Sequence, residues 1–173
     1  ALAWSADSTR ILRSDKKNRL QFVEVESKQS TLVDQASWEM RDYTWSPDGQ
    51  WIAFTRPEAR RFPNIQLYSL GTKQKIQVTD GWFDVGDAQF GSDGKYLFFV
   101  SARAFSPTYG RLEANHIYQD MQNIYLVTLT KETKSPFAPK SDVVKIKTAN
   151  EQKGDTQATY KGEKKKETKT EER

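Results

Sequence analysis

The stretch TWSPDGQWIAFTR, residues 44–56, sets a four-residue turn, Ser46-Pro-Asp-Gly49, between a tryptophan and a short apolar run. Pro47 presets φ at the second turn position, Asp48 can bond back to nearby backbone N–H groups, and Gly49 tolerates positive φ. So sharp a turn against so bulky a run predicts a strand that doubles back within a narrow antiparallel sheet. Weaker copies stand on either side. WSADS begins 41 residues before WSPDG, at Trp4, and FGSDG begins 45 residues after it, at Phe90. The outer copies relax the pattern, with Ser8 in place of glycine and Ser92 in place of proline.

Each copy precedes an apolar run, at 11–13, 51–54 and 96–100. Farther on come LQFVEV (20–25), IQLYSL (65–70) and IYLVTL (124–129), which alternate with period two as half-buried strands do. STLV (30–33) and KIQVT (75–79) close the first two repeats, and the third has no obvious equivalent. Four short strands in about 40–45 residues, opened by an aromatic-and-turn signature, describe a β-propeller blade. The expected fold is therefore all-β: a partial β-propeller of about three four-stranded antiparallel blades, with a disordered, charged C-terminal tail. Blade 1 is expected over 1–43, truncated at its start, and blade 2 over 44–88. Blade 3 is expected over 89–130, with an insertion at 102–122, and a charged linker over 131–173. Propellers typically need about four to eight blades to close. Three blades imply either pairing with further copies or a longer parent. A start without Met, inside a repeat, reads as a fragment.

Charge is unevenly placed. Residues 1–130 hold 15 Lys/Arg and 15 Asp/Glu, whereas 131–173 hold 12 and 8, so the net +4 lies wholly in the tail. That removes bulk charge as a nucleic-acid argument for the folded part. From 149 onward the only aromatic is Tyr160. Such a segment buries too little apolar area to offset an ordering cost of roughly 1–2 kcal/mol per residue. The lysine run 164–166 is interleaved with Glu and lacks stacking aromatics, which favours a solvated linker over a nucleic-acid arm.

The absence of cysteine excludes disulfides, thiolate nucleophiles and Cys-based zinc sites. No apolar run approaches the roughly 18 residues of a membrane span. The expected compartment is cytoplasmic, with periplasmic as the alternative. His116 is the single histidine, so any Ser–His–Asp arrangement would depend on that ring. No G-x-S-x-G elbow, P-loop or H-E-x-x-H motif occurs. Asp7, Asp48 and Asp93 recur at blade period, which marks a turn requirement. No catalytic residue, metal ligand or cofactor site is expected here.

Up-and-down connectivity assigns each loop to a rim. First-to-second and third-to-fourth strand turns share one rim, and all of them are short. The other rim holds the loops 14–18, 56–63 and 102–122 and the links 34–40 and 81–86. It gathers Arg56, Arg60, Arg61, Arg103, Arg111, His116, Trp38, Trp82 and Phe83. Long loops on a rigid scaffold carry function or interfaces. This rim is the candidate face toward substrate or a neighbouring domain. The competing reading is that its aromatics plug loops against the core, and full burial of Trp38, Trp82 and Phe83 would favour it. Within the insertion, 111–122 is compatible with a short helix, with Leu112, His116 and Gln119 on one side.

The repeated [W/F]-[S/G]-x-D-[G/S] motif before an apolar strand resembles the TolB-like class of propeller repeats. TWSPDGQWIAFTRP (44–57), VTDGWFD (78–84) and DGKYLFF (93–99) are more similar to the propeller of tricorn-type serine peptidases. The insertion PTYGRLEANHIY (107–118) and the exit SPFAP (135–139) are the more specific part of that likeness. The resemblance covers about residues 1–140. It implies a noncatalytic propeller segment of a large peptidase that degrades oligopeptides. It also implies further blades, a PDZ-like domain and a serine-and-histidine catalytic region elsewhere in the chain, with assembly into a homo-oligomeric ring. Partners would be peptides and those other domains, with no nucleic acid and no membrane. The weak first copy, with Ala6 and Ser8, is also compatible with propellers fused to other hydrolases, such as those of the prolyl-oligopeptidase or dipeptidyl-peptidase type, and a TolB-like protein-interaction scaffold is a separate alternative.

Overall fold

In the computed structural model, which describes residues 2–111 and 115–139, the Ser46 turn closes as its residue types require. The Ser46 amide donates to the Trp51 carbonyl and the Gly49 amide to the Ser46 carbonyl, both at 2.9 Å. The Ser46 hydroxyl donates to Asp48 and accepts the Trp51 amide, while Asp48 Oδ1 accepts the Gln50 amide at 3.0 Å. Gly49 sits at φ +65°. The first copy repeats this with Ser5, Asp7 and the Arg10 amide, and Ser8 takes φ 58° without being glycine. In the third copy Gly91 replaces the hydroxyl residue. A Cβ there would lie 3.1 Å from Asp93 Oδ1 and 3.4 Å from the Phe98 ring, so the carboxylate and the ring pack close against the bare glycine.

The strands run in meanders. The first sheet is β1 (Leu2–Trp4), β2 (Arg10–Ser14), β3 (Arg19–Glu24) and β4 (Ser30–Gln35), each antiparallel to the next. The second is β5 (Tyr43–Trp45), β6 (Trp51–Arg56), β7 (Asn64–Ser69) and β8 (Lys75–Gln77), paired likewise. The third contains β9 (Val85–Phe90) and β10 (Tyr96–Ser101). A two-stranded hairpin, β11 (Thr108–Tyr109) and β12 (His116–Ile117), intervenes before β13 (Asn123–Thr128) completes the order β13-β10-β9. The described residues contain no helix, which makes the chain an all-β partial propeller. Among them the third sheet has three strands, not four.

The helix expected over 111–122 is not formed by the described part of that segment, and Leu112 lies outside the described residues. His116 and Tyr109 instead face each other across a hairpin. Gly110 turns the chain, its amide donating to the Asn115 carbonyl at 2.8 Å, and a Cβ on it would crowd Ile117 at 3.3 Å. Glycine at the turn and aromatic or β-branched residues beyond it favour this hairpin over a helix. The expectations for 140–173, including the run at 143–146 and the lysines at 164–166, lie outside the described residues.

The period-two pattern sorts side chains between two cores. On one face of the middle sheet, Ile52, Phe54 and Tyr68 pack against Leu12, Leu20, Phe22 and Val33 of the first sheet. On the other face, Ala53, Ile65 and Leu67 pack against Val85, Ala88, Leu97 and Phe99 of the third. The middle sheet is thus covered on both sides, and every residue of β7 is buried. Trp45 bridges sheets, its Nε1 donating to the Ala3 carbonyl at 3.1 Å and its ring meeting Phe22 edge-on at 5.9 Å. The first strands converge, with β5 in contact with both β1 and β9.

All these strands belong to one compact unit, Ala1–Ser135. In the second unit, Pro136–Arg173, the described residues 136–139 include a turn at 136–137, and Phe137 is exposed.

Candidate functional site

The long loops meet the links on one rim. The Ala36 amide donates to the Asn18 carbonyl and Asn18 Nδ2 to the Ser37 carbonyl, both at 3.1 Å. The Thr55 amide donates to Asp42 and the Ala102 amide to Asp84, at 2.9 and 3.0 Å. The candidate side chains on this rim fall into four different settings.

Arg56, at the end of β6, is held by the scaffold. Its Nε donates to Asp34 Oδ2 at 2.8 Å and its other arm pairs with Glu58. Asp34, only 6% exposed, also receives Lys75 Nζ at 2.6 Å. Burial works against the guanidinium's charge, but the hydrogen bonds and charges of Asp34 and Glu58 outweigh it and raise its pKa. The arrangement ties β4 of the first sheet to β6 and β8 of the second. Asp34 is the group that Arg56 and Lys75 share across the two sheets, so Arg56 acts as a strut between blades.

Arg60 and Arg61 line an open groove of about 530 Å³ together with Phe62, Asp80, Gly81 and Trp82. Gly81 takes φ +77°, and a Cβ there would lie 3.3 Å from the Phe62 carbonyl, so the link passes close against the loop. Asp80 Oδ1 accepts the Trp82 amide at 3.2 Å and fixes the link's course. Trp82 is 75% exposed and Trp38 65%, while Phe83 is 41% exposed. None of the three is a buried plug.

Arg103 enters an aromatic cage. Its guanidinium carbon lies 5.3 Å from the Phe83 ring centre, 5.7 Å from Phe99 and 4.9 Å from Tyr125. Nε donates to Ser101 Oγ at 3.1 Å, and that hydroxyl donates to the Asp84 carbonyl at 3.0 Å. Phe99 and Tyr125 stack at 5.8 Å. A guanidinium over several ring faces is stabilised by their quadrupoles, so Arg103 and Phe83 together pin the third sheet's link to its loop.

His116 lies on the β11–β12 hairpin, where its ring meets Tyr109 at 5.9 Å and Tyr118 at 6.3 Å, and Tyr118 meets Phe105 at 6.1 Å. These residues are exposed, and so is Arg111 at the hairpin's turn. Phe105, Tyr109 and Tyr118 are not among the rim residues expected from the sequence. The alternation of His116 and Tyr118 across Ile117 was the available signal.

The turn rim holds a feature that its short loops gave no reason to expect. A cavity of about 690 Å³ opens between the Pro47 and Ser92 turns, walled by Trp51, Leu67, Val78, Phe90, Val127 and Leu129. Two neighbouring turns set side by side leave this space, and periodicity along one chain does not reveal it.

Among the described residues no group of three or more His, Cys, Asp or Glu is placed to hold a metal ion. No helix among them is long and apolar enough to cross a membrane.

The model of the tricorn protease second β-propeller domain matches residues 1–172. A tricorn-like protease C-terminal subunit of Sulfurisphaera tokodaii is 33% identical over 134 residues, which is 77% of this chain and 16% of that protein. The chain therefore spans about a sixth of that relative's length. Among solved structures, the tricorn protease aligns with TM-score 0.75 at 16% identity, covering 84% of this chain and 15% of that one. TolB of Acinetobacter baumannii aligns with TM-score 0.51 at 22% identity, covering 67% of this chain and 30% of that one. At such identities these structures speak to the fold alone.

Proposed function

Because the chain belongs to the tricorn protease second β-propeller family, we propose that it is a noncatalytic propeller segment whose loop rim positions peptide substrate. In this reading the parent is a serine-type peptidase acting on oligopeptides. The nucleophile, the PDZ-like domain and the remaining blades lie outside this sequence, and the parent assembles as a cytoplasmic homo-oligomer. The observation that carries the reading is the groove of Arg60, Arg61, Phe62 and Trp82, where guanidiniums and rings stand open instead of sealing the core. Guanidiniums bind carboxylates and backbone carbonyls, and flat rings accept extended chains with little entropy to lose.

The test uses the intact protein that contains this chain. Replacing Arg60 and Arg61 with alanine, or Trp82 with alanine, should raise KM for oligopeptides about tenfold and leave kcat within about twofold, as loss of uniform binding does. Unchanged KM in both variants would sink the reading.

A second reading, a protein-interaction scaffold, is favoured by the exposed row Phe105, Tyr109, His116 and Tyr118 on a free-standing hairpin. Exposed aromatic clusters mark interfaces. Under it, alanine at Tyr109 and Tyr118 would dissociate a partner or an oligomer on a sizing column without changing KM.

A further inference from the structure

The third sheet ends on an open edge at the place where the first two sheets carry a further strand. β7 pairs Ser69 with Trp51, and β13 pairs Thr128 with Tyr96, so NIQLYS and NIYLVT hold equivalent places behind equivalent turns. β7 is covered by β8, and in the first sheet β3 is covered by β4. Among the described residues β13 pairs with β10 alone. The Leu129 amide donates inward to the Lys95 carbonyl at 2.9 Å, so the alternate residues Ile124, Leu126 and Thr128 turn their amides and carbonyls to the open edge. At the matching places in the second sheet, the Ile65 carbonyl accepts the Val78 amide at 2.8 Å and the Ser69 amide donates to the Gln74 carbonyl at 3.0 Å.

Proteins blunt the edges they leave open with charge, short length or a bulge. β4 contains Asp34 and pairs with β3 through a register shift, and β8 is three residues long and opens on Lys75. β13 has none of these devices: it runs six residues in unbroken register, without charge or proline. Beside it lies the cavity of about 690 Å³, to which Val127 and Leu129 contribute from the third sheet and Ile76 and Val78 from the second. Opposed residues project to one face of a sheet, so the side chains of an added strand that stand opposite Val127 and Leu129 enter this cavity. Its lining includes Asp48 and Asp93 and, among the described residues, no Lys or Arg. Each carboxylate fixes its own turn through Oδ1.

We propose that the β13 edge and this cavity form a strand-addition site for an extended peptide of another chain, with apolar residues at alternate positions and a Lys or Arg at its N-terminal end. The edge amides and carbonyls hold the peptide main chain, the cavity takes its apolar side chains, and the carboxylates take its cation. Strand direction places that cation. β13 runs toward the turn rim, so an antiparallel strand begins there, beside Asp48 and Asp93, much as β8 begins on Lys75. A second copy of NIYLVT carries no cation and matches the acidic lining less well. The site shares no residue with the groove of Arg60, Arg61 and Trp82 and does not depend on the reading of the loop rim.

Calorimetric titration of the 173-residue chain tests it with acetylated peptide amides of alternating valine and threonine. One carries lysine at its N-terminal end, one carries lysine at its C-terminal end, and one carries glutamate at its N-terminal end. Two further forms of the first bear N-methyl groups on alternate amides, one in each phase. The N-terminal lysine peptide should bind at least about tenfold more tightly than the glutamate peptide, as a charge-assisted contact gives, and more tightly than the C-terminal lysine peptide. Methylation in one phase alone should weaken binding at least about tenfold, because only alternate amides face the edge. Leu126→Pro removes an edge donor and no bond to β10, and Asp93→Asn removes a charge, so each should weaken binding at least about threefold with an unchanged thermal midpoint. Should Leu126→Pro lower the midpoint, Asp93→Asn and the methylated peptides still decide. Equal losses in both methylation phases, glutamate binding as tightly as lysine, or no binding by any of the peptides would each overturn the proposal. So would a chain that elutes as a dimer and excludes the peptide, which would give the edge to a second copy.

Discussion

At the turn rim, Ser46, Asp48 and Gly49 satisfy one another within six residues, and the first copy does the same with Ser5 and Asp7. At the loop rim, Trp38 and Trp82 stand mostly exposed, and Arg60 and Arg61 border an open groove. The two rims cap the same strands, yet one is closed by local hydrogen bonds and the other is organised by distant partners. Local satisfaction makes a residue scaffold wherever it recurs. On the loop rim a side chain's role depends on what reaches it from another sheet. Asp34 takes Arg56, three rings take Arg103, and Arg60 and Arg61 are left lining the groove.

The sharpest way to break this contrast is at Asp34. Asp34→Ala should cost about 1.5–3 kcal/mol in chemical denaturation, because it removes the buried carboxylate that Arg56 and Lys75 share, although Arg56 keeps Glu58 and Lys75 is partly solvated. A loss below about 0.5 kcal/mol would return Arg56 to the surface-site class. Next in size, Ser46→Ala should cost about 1–2 kcal/mol by removing a hydroxyl that both donates to Asp48 and accepts the Trp51 amide. Gly49→Ala should cost about 1 kcal/mol from positive φ alone, since nothing lies within 4 Å of its Cβ position. Smallest, Arg60→Ala and Trp82→Ala should stay within about 0.5 kcal/mol of the parent, as exposed positions do. A large loss at Trp82 would mean that the ring supports the fold.

Acid acts with opposite sign on the turn carboxylates and on Asp42. Asp7 is held at about 2 by the Ser5 hydroxyl and then the Thr9 amide, against an ordinary 3.8. Asp48 is lowered by the Ser46 hydroxyl and then the Gln50 amide. Depressed carboxylates contribute stability that is fully present above the unfolded value and is lost as pH falls toward the folded one. Asp42 is raised, so its penalty is relieved as pH falls through its folded pKa. Thermal midpoints between pH 6 and 2 should therefore fall less steeply in Asp48→Asn and more steeply in Asp42→Asn than in the parent chain. An unchanged acid slope in Asp48→Asn would remove the turn carboxylates from the account.

Much of the fold was legible because its signals are short-range. The Asp48 turn, the apolar alternation of 51–54 and the strands 65–69 each reflect backbone geometry within a few residues. The described part of 111–122 pairs as a hairpin and not the expected helix, because Gly110 and the pairing of Tyr109 with His116 outweigh a weak helical spacing. Of the candidate rim, loop length pointed to the loops that carry Arg60, Arg61 and Trp82 but left open whether Trp82 would be exposed or buried, which the structure decides as exposed. The capture of Arg56 did not follow from loop length, because its partner is 22 residues away on another sheet.

By itself the sequence determined the sheets, the direction of each meander, the sharp turns and the sorting of loops between rims. Turn chemistry and side-chain alternation act within one or two strands, so they need no knowledge of what packs alongside. Only the tertiary structure decided which rim residues are struts and which stand open. It also set a cavity between two turns and brought Asp42 close against Gly86 of the neighbouring sheet. Those outcomes depend on how neighbouring sheets pack and which charges they bring face to face, and neither is written along any single strand.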